Sequence, residues 1–136
     1  MKAYTKPLPK PTPWSRPFWV GCKERKLLVQ KCEDCQKYIF YPKLFCPFCL
    51  SERLHWVESS GKGKVYSFTV VYSYQPTEFE DDVPYVIAVI ELEEGVRMMS
   101  NIVECKPDHI ECDMEVEVVF EPVTDDFTFP RFRPVN

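Results

Sequence analysis

A mainly β protein in two parts is what this sequence predicts: a short helix and a cysteine-built ribbon first, then a five-stranded barrel. Three observations carry that expectation. Two matched cysteine pairs, Cys32-x2-Cys35 and Cys46-x2-Cys49, are separated by ten residues. Apolar residues alternate with period two from about Lys64 onward, as half-buried strands require. Between the two patterns lies Ser59-Ser60-Gly61-Lys62-Gly63, a turn-rich joint. The expected organisation is therefore an extended proline-rich arm over 1–14, the helix and ribbon over 15–60, and the barrel over 61–136.

In chain order, Lys6-Pro-Leu-Pro-Lys-Pro-Thr-Pro13 alternates proline with other residues and favours an extended polyproline II arm. It reads either as a tail without fixed structure or as a docking arm for a partner. Ser15 and Pro17 mark a helix start, a capping hydroxyl followed by a residue suited to the first turn. Phe18, Trp19 and Cys22 then share one helix face, which must pack against the ribbon or line a groove. Short strands are expected at Leu27 to Gln30, Tyr38 to Tyr41 and Leu54 to Glu58. Tyr38, Phe40, Tyr41, Phe45 and Phe48 are dense for so small a module. They are expected to shield the sulfurs as a miniature core, although such aromatics also suit contact with a ligand or partner.

The cysteine spacing has a direct chemical meaning. A two-residue gap lets each pair fold into a tight knuckle that aims two sulfurs at one point, and the intervening residues bring the second knuckle opposite the first. Four soft thiolates at such spacing suit one zinc ion, with Cys32, Cys35, Cys46 and Cys49 as ligands. A closed set of four leaves no coordination position for water or substrate, so the ion is expected to hold structure and do no chemistry. A redox dithiol, a disulfide pair and a small iron centre are the alternatives. A redox motif ordinarily follows a strand and opens a helix, whereas this one lies between strand-like segments and has a duplicate. Cys22, Cys105 and Cys112 read as small buried apolar residues, with a Cys105–Cys112 disulfide as the lesser reading.

Beyond the joint, Tyr66, Phe68, Val70, Tyr72 and Tyr74 are expected on one face of a long strand, and Val86, Ala88, Ile90 and Leu92 on one face of the next. Glu93-Glu94-Gly95 reads as a hairpin loop, with the chain returning from Val96 to Val103. Val116, Val118 and Phe120 alternate with mostly acidic neighbours, and a last strand is expected from Phe127 to Phe132. Five strands of uneven length, the first long enough to bend, suit a barrel of the OB type better than a sandwich, which needs seven or more.

Composition narrows the function. The chain has 136 residues, 45% hydrophobic and 28% charged, and no apolar run approaches the roughly 20 residues of a membrane span. Met1 to Pro13 is basic and proline-rich without an apolar stretch, so no secretory signal is expected and the cytoplasm is the expected compartment. The net charge of −4 hides an asymmetry. Residues 1–60 hold eleven Lys/Arg against five Asp/Glu, a balance of +6, and residues 61–136 hold six against sixteen, a balance of −10. An OB barrel that binds a single-stranded nucleic acid needs a positive groove with stacking aromatics. The aromatics are available, but the barrel's charge opposes a polyanion. His55 and His109 stand in no nucleophile or metal motif, and no phosphate loop or Gly-x-Ser-x-Gly occurs. The run Glu78 to Asp82 reads as a solvated loop.

Pro17-Phe18-Trp19, Cys32-x2-Cys35, Tyr41-Pro42, Phe45-Cys46-Pro47-x-Cys49, Gly63-x-Val65-Tyr66-Ser67-Phe68-Thr69-Val70, Val83-Pro84-Tyr85, Ser100-Asn101 and Pro130-Arg131-Phe132 occur in that order. Over Pro17 to Pro134 the chain resembles the family catalogued as domain of unknown function number thirty-five, a rubredoxin-like zinc ribbon joined to an OB-fold. The resemblance implies a non-catalytic scaffold subunit that partners acyl-CoA enzymes: thiolases, hydratases with a hot-dog fold, or acyl-CoA synthases. A coenzyme A thioester is a further implied ligand. Its phosphates need clustered cations and its tail an apolar channel, so Trp19, Lys62, Lys64, Tyr66, Phe68 and Arg131 are the expected contacts with acyl-CoA or partner. A solvated basic face is the plainer explanation of the same lysines. Single-stranded nucleic-acid binding is the alternative function.

Overall fold

The structure is a computed structural model and describes residues 6–73 and 77–135. One α-helix lies among the described residues, α1 (Arg16–Lys23). The ribbon sheet holds β1 (Leu28–Cys32), β2 (Tyr38–Ile39) and β3 (Leu54–Glu58) in the order β2-β1-β3, with both pairings antiparallel. The barrel is built from β4 (Lys62–Val71), β5 (Tyr85–Leu92), β6 (Arg97–Ile102), β7 (Glu115–Pro122) and β8 (Thr128–Pro134). It closes in the order β4-β5-β6-β8-β7, the five-stranded closed barrel that the alternation predicts.

Closure depends on β4 being long enough to serve two neighbours. Its first residues pair with β7 through Lys62↔Glu117, Gly63↔Val116 and Lys64↔Glu115, and from Gly63 to Val71 it pairs on its other side with β5. Gly63 permits that double pairing, since a Cβ there would lie 2.5 Å from the Glu91 carbonyl oxygen. Gly61 turns the chain into β4 at φ +77, and a Cβ there would lie 2.5 Å from Val118 Cγ1. Ser59 and Ser60 donate their hydroxyls to Glu94 (2.7 Å) and Glu93 (2.8 Å), tying the joint to the β5–β6 hairpin.

On β5 the expected face is observed, with Val86, Ala88, Ile90 and Leu92 buried. On β4 it is not. The register shifts between Val65 and Ser67, leaving Tyr66 as the extra residue of a β-bulge. Val65 is therefore fully buried and Tyr66 half exposed, while Phe68 and Val70 return inward against the core. Tyr72 is exposed, and Tyr74 lies outside the described residues.

The main core runs across the joint, joining Phe18, Cys22, Leu27 and Val29 to the barrel residues Val65, Ile90, Val116 and Phe132. Helix α1 packs on β1, β7 and β8, so the expected Phe18 and Cys22 face is used for packing. Ser15 does not cap it: the Thr12 N–H donates to Ser15 Oγ at 2.8 Å, so the hydroxyl stabilises the turn before the helix. The described part of the arm reaches the far end of the barrel, where Lys6 pairs with Asp82 at 3.0 Å and its ammonium lies over Phe79. All seven cysteines are free thiols, and Cys112 is exposed with Cys105 half-buried, contrary to the expected burial and to a Cys105–Cys112 bridge.

Candidate metal centre

The two knuckles are built alike. In the first, Gln36 N–H donates to Cys32 C=O (2.9 Å) and Cys32 N–H to Lys37 C=O (3.0 Å). In the second, Leu50 N–H donates to Cys46 C=O (2.9 Å) and Cys46 N–H to Ser51 C=O (2.8 Å). Gln36 and Leu50, each directly after the second cysteine of its pair, take positive φ of 65° and 64°. That left-handed residue closes each loop and turns both sulfurs of the pair inward. The Cys35 N–H and Phe48 N–H point at the sulfurs of Cys32 and Cys46 at 3.5 and 3.4 Å.

The four Sγ atoms all lie within 4.8 Å of one another. A tetrahedral ion with metal–sulfur bonds of about 2.3 Å sets its ligand sulfurs about 3.8 Å apart. The cross-knuckle pairs Cys32–Cys49 and Cys35–Cys46 are both at 3.6 Å, so the donor set fits one soft divalent ion. The thiols alone cannot ionise together. The Cys35 amide, joined by the Asp34 amide and the Cys49 and Cys35 sulfurs, brings Cys32 down to about 7 against the effect of burial. Cys49 is held up to about 12: the Ser51 amide acts against the rise, but burial and the other three sulfurs outweigh it. A divalent cation removes that conflict by binding all four as thiolates.

Two supports were not read from the sequence. Gln30, only 4% exposed, donates Nε2 to Lys43 C=O (2.9 Å) and accepts the Lys43 N–H at Oε1 (2.7 Å). This side chain replaces a strand partner for the loop between the knuckles. A polar residue in the apolar run of β1 was the only available hint. Arg53 pairs with Glu33 and Asp34 at 3.0 Å each, and Ser51 donates to Asp34, so the inside of the first knuckle is joined to the exit of the second. The miniature aromatic core is not formed. The knuckle cluster consists of Cys32, Ile39 and Cys46 with Cys35 and Leu54 packed on it, while Tyr38 and Phe40 pack on the main core and Tyr41, Phe45 and Phe48 are exposed.

The expected ligand or partner contacts fall into separate groups. Trp19 sits edge-on to Phe127 (5.7 Å) and Phe129 (5.9 Å), and the Arg131 guanidinium lies 5.2 Å from the Phe129 ring. Arg131 also donates to Asn101 (2.6 Å) and pairs with Glu121 (3.1 Å). Lys62 and Lys64 lie exposed on β4, in register with Glu117, Glu91 and Glu115. Tyr66 is stacked by Arg97, 3.7 Å from its ring centre, and Arg97 is paired with Glu91 at 3.1 Å. Phe68 is half-buried against the core. Phe127 and Phe129, which extend the Trp19 cluster, were not singled out, because their proximity depends on α1 packing against β8.

Similarity to known proteins follows both modules. Residues 19–55 match the ChsH2 rubredoxin-like zinc ribbon domain and residues 56–121 the ChsH2 C-terminal OB-fold domain. A DUF35 domain-containing scaffold protein of Methanocaldococcus jannaschii is 42% identical over 126 residues, covering 87% of this chain and 89% of the relative. A probable enoyl-CoA hydratase alpha subunit of Thermomonospora curvata is 38% identical over 118 residues, 86% of this chain but 36% of that longer protein. Among solved structures, one titled as an Ltp2-ChsH2(DUF35) aldolase superposes with a TM-score of 0.84 at 35% identity, covering 93% of this chain and 98% of that one. This chain belongs to the DUF35 family, in which a ChsH2-type zinc ribbon is joined to an OB-fold.

Proposed function

We propose that this protein is a non-catalytic scaffold subunit that partners an enzyme of acyl-CoA metabolism. The observation that carries the reading is the closed four-sulfur cluster, set in a chain 42% identical over 126 residues to a relative named as a scaffold protein. The hydratase subunit and the aldolase among its relatives support an enzyme partner of that class. Thiolases and acyl-CoA synthases are further partner types implied by the sequence resemblance.

In this reading Cys32, Cys35, Cys46 and Cys49 hold Zn2+, whose role is to hold the knuckles together. With four thiolates it offers no open position for chemistry. The two modules, 15–60 and 61–136, act as one adaptor preceded by the arm over 1–14. Direct acyl-CoA contact falls to Trp19 and Arg131 around Phe129, with Lys62, Lys64, Tyr66 and Phe68 on β4. Free thiols at Cys22, Cys105 and Cys112 suit a reducing compartment, and the cytoplasm is proposed. No described helix is long and apolar enough to cross a membrane.

Single-stranded nucleic-acid binding gains little from the outer barrel face. Arg97, the cation stacked on Tyr66, is already paired with Glu91, and Met99 supplies exposed aliphatic surface in place of a stacking ring. The deciding experiment is affinity purification of the tagged chain from its native host. Stoichiometric recovery of an acyl-CoA enzyme supports the scaffold, and recovery of nucleic acid without such an enzyme overturns it. Titration with acetyl-CoA then separates direct ligand contact from scaffolding alone.

A further inference from the structure

The second knuckle carries an apolar surface that the fold leaves uncovered. Tyr41, Leu44, Phe45, Phe48 and Leu50 are each at least 46% exposed, and Leu50 is 77% exposed. All five fall within one ten-residue stretch around Cys46 and Cys49. Monomeric proteins seldom leave so many large apolar side chains together in water. The stretch is also held in place. Gln30 grips Lys43 at both backbone groups, and Leu50 is fixed in its left-handed turn by its bond to Cys46. A surface ordered before contact loses less entropy on association.

Charge selects the occupant. Lys37 lies 4.4 Å from the Phe48 ring centre and Lys31 5.1 Å from that of Tyr38, and Lys43 adjoins Leu44. None of these three lysines makes an ion pair among the described residues, whereas Glu33 and Asp34 of the same module are both taken by Arg53. Glu52 and Glu58 of the module are in no ion pair with them either, so all three lysines remain available to carboxylates of another molecule. The geometry points to the ribbon tip as the docking surface for the partner enzyme, seated in an apolar cleft with a carboxylate rim. The inference rests on the scaffold reading above and assigns its interface. Tyr41, Phe45 and Phe48 are rings on which bases stack, but Leu44 and Leu50 among them are not, and the net charge of −4 with an acidic barrel opposes both a nucleic acid and an anionic bilayer. The barrel of a second copy does supply carboxylates. Ribbon-on-barrel contact between identical chains is head-to-tail, however, and grows filaments unless its rotation closes.

The test starts from the full chain purified with its enzyme from the native host. If no acyl-CoA enzyme is recovered, the scaffold reading falls and the tip assignment falls with it. With the enzyme identified, a photo-crosslinking residue is placed at Leu44 or Leu50, and separately at Met99 on the outer barrel face. Crosslinks from Leu44 and Leu50 to Asp/Glu-flanked enzyme peptides, and none from Met99, are expected. Crosslinks from Met99 alone, or from the tip only to a second copy, overturn the tip assignment and leave the scaffold reading standing. Phe48→Ser with Leu50→Ser is expected to weaken association at least tenfold with zinc content unchanged. Lys37→Glu with Lys43→Glu is expected to weaken it and to flatten its salt dependence. Unchanged affinity in both variants overturns the inference. So does flotation with phosphatidylserine vesicles, or nucleic-acid co-purification, that these substitutions abolish.

Discussion

The knuckle cluster buries three residues, two of them cysteines, whereas the main cluster buries fourteen, from Phe18 to Phe132. Three residues cannot offset the backbone entropy of ordering two loops, so the ribbon tip is expected to depend on an ion held by its four sulfurs. The barrel depends on apolar burial and closure. Helix α1 and β1 sit in the first half of the chain yet contribute Phe18, Cys22, Leu27 and Val29 to the barrel-side core. Sequence position and mode of stabilisation thus divide the molecule at different places.

The largest expected effect comes from metal removal. Structural zinc contributes about 10–16 kcal/mol of apparent binding free energy in small zinc peptides. Chelation, or Cys46→Ser, is therefore expected to abolish hydrogen-exchange protection over residues 32–53 while the barrel strands keep theirs. Equal loss in both regions would erase the contrast. The converse substitution, Phe132→Ala, removes a fully buried ring from the barrel and is expected to cost about 3–5 kcal/mol in urea denaturation. Zinc stoichiometry in the folded fraction should not change.

Gly63→Ala acts at the strand that closes the barrel. The added methyl meets a backbone oxygen at 2.5 Å, and a loss of about 1–3 kcal/mol is expected from the urea midpoint. In the ribbon, Gln30→Ala leaves both Lys43 backbone groups without their partner. A similar loss of about 1–3 kcal/mol is expected, read as faster zinc release to a chromophoric chelator with the barrel melt little changed.

Near neutral pH the smallest effect lies where the two regions meet. Burial pushes the Cys22 thiol up to about 12 from an ordinary 9.0, so the folded state retains the proton more strongly than the unfolded chain. Its stabilising contribution is complete below pH 9 and is lost progressively as pH rises from 9 toward 12. Cys22→Ala should flatten the decline in melting temperature over that window. Iodoacetamide at pH 8 should label the exposed Cys112 and leave Cys22 intact.

Some of these features were legible in advance because their causes are local. Two-residue cysteine spacing shapes a knuckle regardless of what surrounds it, and the four sulfurs converge as expected. Alternation on β5 held because the extra residue of the β4–β5 bulge lies on β4, so β5 runs uninterrupted between two antiparallel neighbours. Alternation on β4 failed at Tyr66, since a bulge depends on the partner strand and leaves no period of its own in the sequence. The exposed Tyr41, Phe45 and Phe48 were mistaken for a core because hydrophobicity does not state which surface is available to cover it.

Legible in the residues themselves were the four cysteines that converge, the β class with its five-stranded barrel, and the opposed charges of the two halves. These follow from residue type and short spacing. The tertiary structure alone decided that Gln30 fastens the inter-knuckle loop, that Trp19 meets Phe127 and Phe129, that α1 joins the barrel's core, and that the ribbon tip stays bare. Each of those depends on contacts between residues distant along the chain, and such contacts exist only once closure and packing have brought them together.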